Sequence, residues 1–125
     1  MTNSEQPESS KRLQAEDCKV TVAESFARLP GAKGERFAAV LEHGSLVVEI
    51  YAPRGTDPQQ PHTRDEVYIV VSGSGTFLNG VTRQTFSPGD LLFVPARVEH
   101  RFESFTPDFV TWVIFYGPEG GEEES

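Results

Sequence analysis

From residue 36 onward the chain is cut into short apolar runs by turn residues, at intervals too tight for helices. Residues 36–42 (RFAAVLE) and 45–52 (SLVVEIYA) flank His43-Gly44, a two-residue hairpin signal. Residues 53–61 (PRGTDPQQP) hold three prolines, which cannot donate to a strand ladder, so this stretch reads as a loop. Residues 66–72 (EVYIVVS) form a continuous β-branched run, as a deeply buried strand requires. The runs at 76–78 and 81–86 flank Asn79-Gly80, the strongest short hairpin signal. Runs at 91–95, 100–105 and 109–116 complete the series. About eight strands at short, regular spacing predict an all-β sandwich, jelly roll or small barrel. The one stretch that fits a helix is 22–29.

The 125 residues suit a single domain with a core that needs no disulfide. Residues 1–19 are polar and residues 119–125 acidic, so both are expected to be flexible tails around a domain spanning 20–118. A net charge of −8 argues against a nucleic-acid partner, because phosphate contacts need a basic face. The same surplus disfavours anionic membrane surfaces. No stretch approaches the ~18 apolar residues of a membrane span, and the first thirty residues hold no run fit for a signal peptide. Cys18, the single cysteine, can form neither an internal disulfide nor a thiolate zinc site. A cytoplasmic location is the expectation.

Chemistry centres on the histidines. His62 precedes the strand ending near Val71, Glu66 follows four residues later, and His100 opens a different strand. His43, at a hairpin tip, reads as a turn residue. If 60–70 runs extended, Gln60, His62, Glu66 and Tyr68 share one face, while Asp65, Ile69 and Val71 take the other. Two imidazoles and one carboxylate are the donor set of non-haem Fe(II) oxygenases, and nickel, manganese or zinc accept it too. The Gln60 amide oxygen would add a neutral fourth donor. Structural readings stand beside these: hydrogen-bonded histidines, a Glu66 paired with Arg64 or Arg101, a Gln60 that supports a ligand. Tyr68, Phe102 and Trp112 either line an apolar substrate pocket or pack the core. Arg64 either clamps a substrate carboxylate or phosphate, or is a solvated loop arginine. No hydrolase triad, glycosidase acid pair or phosphate loop is visible in the pattern.

The segments QPHTRDEVYIVVSGSG and SPGDLLFVPARVEHRFES resemble the two motifs of the cupin superfamily. In the first motif, G-x5-H-x-H-x3/4-E-x6-G, His62, Glu66 and Gly73 match. In the second, G-x5-P-x-G-x2-H-x3-N, Gly89, Pro95 and His100 fall at the required offsets. Gln60 stands at the first histidine position, and Gly55 precedes it by five positions rather than six. Arg97 replaces a glycine and Ser104 an asparagine, which bears on turn geometry because glycine has a backbone freedom that arginine lacks. The resemblance implies a jelly-roll β-barrel, often dimeric, holding a divalent metal on two or three histidines and a glutamate. A homodimer is therefore expected. Two functions follow as expectations. One is a metal-dependent enzyme acting on a small organic molecule by dioxygenase-like or Lewis-acid isomerase or lyase chemistry. The other is a non-catalytic cupin that binds a sugar or organic acid without an essential metal.

Overall fold

The computed structural model describes residues 14–123; residues 1–13 and 124–125, and with them most of the expected N-terminal tail, lie outside it. A 3-10 turn at Ala15–Asp17 and helix α1 (Val22–Phe26) precede eight strands. These are β1 (Phe37–His43), β2 (Leu46–Tyr51), β3 (Asp65–Ser72), β4 (Gly75–Asn79), β5 (Thr82–Phe86), β6 (Leu91–Val94), β7 (His100–Glu103) and β8 (Val110–Tyr116). Thr21 caps α1, accepting from the Glu24 amide while the Glu24 carboxylate accepts from the Thr21 amide. The helix ends at Phe26, short of the expected residue 29, and Pro30 follows.

The strands form two antiparallel sheets, ordered β1-β2-β8-β3-β6 and β5-β4-β7. Alternation along each strand decides which side chains meet between them. Tyr68, Val70, Phe77, Phe86, Val94, Phe102, Phe109 and Val113 fill that space. Phe102 sits at its centre, with ring centroids 4.8 Å from Tyr68, 4.7 Å from Phe77 and 4.6 Å from Phe109. Fully burying each such ring contributes about 1.5–3 kcal/mol. The opposite face of the larger sheet carries a second cluster of Ile50, Ala52 and Val110, with Leu29, Val71 and Trp112 packed against it.

Both hairpins turn one residue later than the sequence signals imply. His43 pairs with Leu46 and Asn79 with Thr82, so the tips are Gly44-Ser45 and Gly80-Val81. Gly44 (φ +58°) and Gly80 (φ +65°) take the positive φ that a type II′ turn demands of its first position. Asn79, freed from the turn, donates its side-chain amide to the Phe93 carbonyl at 2.9 Å and so links the two sheets.

The segment after the barrel is tied down through Glu122, in place of the free tail expected from residue 119. The Gly120 amide donates to the Thr63 carbonyl (2.6 Å) and the Glu122 amide to Asp65 Oδ2 (2.9 Å).

Candidate metal centre

Glu66 lies on β3 with its side chain between the sheets, and His100 opens β7 on the facing sheet. Both are buried. His62 stands in the loop before β3 and is half-buried. His100 Nε2 lies 3.2 Å and His62 Nε2 3.9 Å from Glu66 Oε1, and one donor atom from each residue falls within 4.8 Å of the others. The fold therefore brings together residues from both sequence motifs, on two sheets.

The His100 ring is held from behind, and His62 through its backbone. His100 Nδ1 is 2.9 Å from the Val98 carbonyl, which only accepts, so in the neutral ring the proton sits on Nδ1 and Nε2 turns its lone pair toward Glu66. The Arg97 amide donates to the His62 carbonyl at 2.6 Å, tying the second motif to the first. Arg97 (φ +68°) and Ser104 (φ +51°) both adopt the left-handed region, at the positions where the family motif has glycine and asparagine. Holding these non-glycine residues in the left-handed region costs about 1–2 kcal/mol per residue.

Burial pushes the His62 imidazolium pKa down, with His100 adding to the effect and Glu66 opposing it. Burial also disfavours the His100 imidazolium, but the adjacent Glu66 carboxylate and the Val98 carbonyl outweigh it, leaving a net rise. Glu66 Oε1, Glu66 Oε2 and His100 Nε2 are buried without a well-aligned hydrogen bond. Such atoms are rare in folded proteins because each costs about 1–3 kcal/mol. A carboxylate and an imidazole with unpartnered buried atoms, beside a second imidazole within reach of the same point, fit a divalent cation.

Of the other residues expected at the site, the structure places some elsewhere. Gln60 is exposed; its neighbour Gln59 reaches the cluster instead, with Oε1 3.2 Å from His62 Nε2 and accepting from the Tyr68 hydroxyl at 3.0 Å. Strand parity cannot be carried back from Glu66 to residue 60, because β3 begins only at Asp65 and the proline-rich segment before it is irregular. Tyr68 is buried beside the cluster; burial and Glu66 raise its phenol pKa well above the ordinary value. Phe102 belongs to the core and Trp112 to the cluster on the other face of the sheet. Arg64 donates to the Ser45 carbonyl at the β1–β2 turn.

A pocket of about 540 Å³ opens beside His62. Its walls include Tyr51, Val113 and Phe115 from the inner sheet face, Phe37 at the start of β1, and Gln59 and Pro53 from the loop. Glu35, Arg36, Glu49 and Arg54 are its charged residues around β1 and β2. Glu49 is half-buried, and burial, reinforced by Glu66 and Glu42, raises its carboxyl pKa. The loop is anchored by Asp57, which is buried and accepts from the Tyr51 hydroxyl, Gln59 Nε2 (2.9 Å) and the Phe102 amide (2.8 Å). Glu49 had one sequence signal, a lone charge inside the apolar run of 46–51; Asp57 and Gln59 had none.

The Cupin_2 family model, described as a cupin domain, matches residues 47–116, more than half of the chain. An uncharacterized protein of Streptomyces coelicolor is 41% identical over 81 residues, which cover 63% of this chain and 77% of that one. Acireductone dioxygenase 1 of Pectobacterium atrosepticum is 43% identical over 67 residues, covering 50% of this chain but only 39% of the relative. A cupin-2 domain containing protein of Shewanella frigidimarina shares the fold, with a TM-score of 0.61 at 17% identity over 78% of this chain and 94% of that one. Two sheets in jelly-roll order, both sequence motifs at one buried cluster, and the family match establish that the chain belongs to the cupin superfamily.

Proposed function

We propose that this cupin is a metal-dependent enzyme acting on a small organic molecule, with His62, Glu66 and His100 as ligands of a divalent iron, nickel, manganese or zinc ion. The observation that carries this reading is the set of buried, unpartnered atoms on Glu66 and His100, beside a histidine that opens onto a pocket. When bound, the ion would supply a Lewis acid that polarises a substrate oxygen, and iron would add oxygen chemistry. Gln59 orients His62 and stands where a neutral fourth donor is available. Phe37, Val113 and Phe115 exclude water from the apolar part of the substrate. Glu49, with its carboxyl pKa raised, is a group in the pocket able to take or return a proton. The likeness to acireductone dioxygenase over half of this chain supports the oxygenase form of the reading.

The proposal extends to a cytoplasmic homodimer. The lone, exposed Cys18 thiol suits a reducing compartment. Leu91 and Phe93, 62% and 43% exposed, lie on the outer face of β6 and offer an apolar sheet surface to a second copy.

The test is elemental analysis of untagged protein before and after dialysis against chelator. We expect about one iron, nickel, manganese or zinc per chain, and at least about a tenfold loss in His100→Ala with an unchanged circular dichroism spectrum. Protein that holds no metal as purified and regains none on soaking would overturn the reading in favour of a non-catalytic small-molecule binder.

A further inference from the structure

The pocket beside His62 is mostly apolar, but two guanidinium groups stand in its wall. Arg36 immediately precedes β1 and Arg54 lies just beyond β2, so the β1–β2 pairing brings them to the same end of the barrel. The position of Arg36 is fixed by the backbone. The Ala52 amide donates to the Arg36 carbonyl at 2.9 Å, and Arg36 Nε donates back to the Ala52 carbonyl at 2.9 Å. That pair of bonds orients the Arg36 fork and leaves its two terminal nitrogens without a partner among the described residues. Arg54 is exposed and pairs with no acid among the described residues.

Two unpaired guanidiniums lining one pocket repel each other, and Arg36 registers this: burial first, then Arg54, lowers its pKa. The chain as a whole carries eight more acids than bases, so leaving two arginines unmatched here is not forced by a shortage of carboxylates. The pocket's own acids, Glu35 and Glu49, form no ion pair with either arginine among the described residues. Glu35 Oε1 accepts from the Lys33 amide at 2.8 Å, and Glu49 forms no ion pair among the described residues. Arg64, the arginine for which the sequence suggested an anion-clamping role, is engaged by the Ser45 carbonyl.

We infer that Arg36 and Arg54 form an anion subsite at the outer end of the pocket, so that the molecule presented to His62 is a small organic acid, carrying a carboxylate or phosphate at the end remote from the cluster. A guanidinium fork matches either oxyanion with two parallel N–H···O bonds. The apolar wall of Phe37, Val113 and Phe115 would cover the stretch between the anion and the reacting end. This inference rests on the enzyme reading for the direction of the substrate, but the subsite itself does not depend on a metal.

The test is a binding titration of the full chain, as purified and again after metal removal, with phenylacetate and its neutral isostere phenylacetamide. Metal removal ensures that a carboxylate cannot be scored for binding the ion. Phenylacetate should bind both preparations at least about tenfold more tightly than phenylacetamide. Arg54→Gln, at an exposed residue with no bond to lose, should weaken phenylacetate at least about fivefold and leave phenylacetamide unchanged. Arg36→Lys, which keeps the charge and loses the fork, should also weaken phenylacetate. Metal content should be unaltered in both variants, whereas His100→Ala should lose metal and still bind phenylacetate. A failure of the metal reading and a failure of the anion subsite are thereby separated. Displacement of phenylacetate by inorganic phosphate would support a subsite for both oxyanions; its absence, with the other results as expected, would support a carboxylate-specific one. Equal binding of phenylacetate and phenylacetamide, or wild-type phenylacetate binding by both arginine variants, would overturn the inference.

Discussion

Asp57 and Glu66 are both buried carboxylates, and the fold treats them in opposite ways. Asp57 accepts from a hydroxyl, a side-chain amide and a backbone amide, drawn from three parts of the chain. Glu66 faces two imidazoles and receives no well-aligned hydrogen bond on either oxygen. Asp65, next to Glu66 but on the other face of β3, follows Asp57, accepting from the Ala96 and Glu122 amides at 2.9 Å each. A carboxylate encircled by donors holds loops together, because its charge is already satisfied inside the protein. A carboxylate left bare and aimed at other donor atoms has room for a cation that comes from outside.

Substitutions can break or sharpen this contrast. The largest effect belongs to Asp57→Ala, which strands the Phe102 amide and the Tyr51 hydroxyl; unfolding by denaturant should show a loss of about 3 kcal/mol. A loss under about 1 kcal/mol would put Asp57 in the same class as Glu66 and dissolve the comparison. Next comes Glu66→Gln, where bound metal should fall at least about tenfold while the metal-free chain loses less than about 1 kcal/mol, since no aligned hydrogen bond is removed. If the metal-free variant were as unstable as Asp57→Ala, Glu66 would be a structural residue. The smallest effect is that of Arg97→Gly, which relieves a left-handed non-glycine residue behind His62. Thermal unfolding should show a gain of about 0.5–1 kcal/mol, the greater freedom of the unfolded glycine offsetting part of the relief, with metal content unchanged.

The strands were legible because burial on alternate sides leaves an alternating or continuous apolar pattern, and all eight fall within a residue or two of where the sequence puts them. The hairpin tips were displaced by one residue because Asn79-Gly80 and His43-Gly44 signal a turn with glycine second, while the backbone uses glycine first. His62, Glu66 and His100 could be read from motif spacing; the amide beside them could not. Between Pro58 and Pro61 the chain follows no strand period, so choosing Gln59 over Gln60 needs the loop's actual path. Trp112 shows a similar limit. Its place on β8 was clear, but the face it takes follows from register, which sets Trp112 against Ile50 and Ile69 and turns it away from the site. The pocket's arginines carry no sequence signal because they flank the first two strands, at positions that neither motif specifies.

Glu66 belongs to the five-stranded sheet and His100 to the three-stranded one. An ion held between them is therefore a cross-brace, added to the side-chain packing, the Asn79 link and the Asp57 bridge from Tyr51 to Phe102 that already join the two layers. Ligand present at a hundred times its dissociation constant stabilises the folded state by about 2.7 kcal/mol. Two preparations of identical sequence that differ in metal load would then melt as if they were different proteins. The melting curve becomes a gauge of how completely the two halves of the barrel have been riveted.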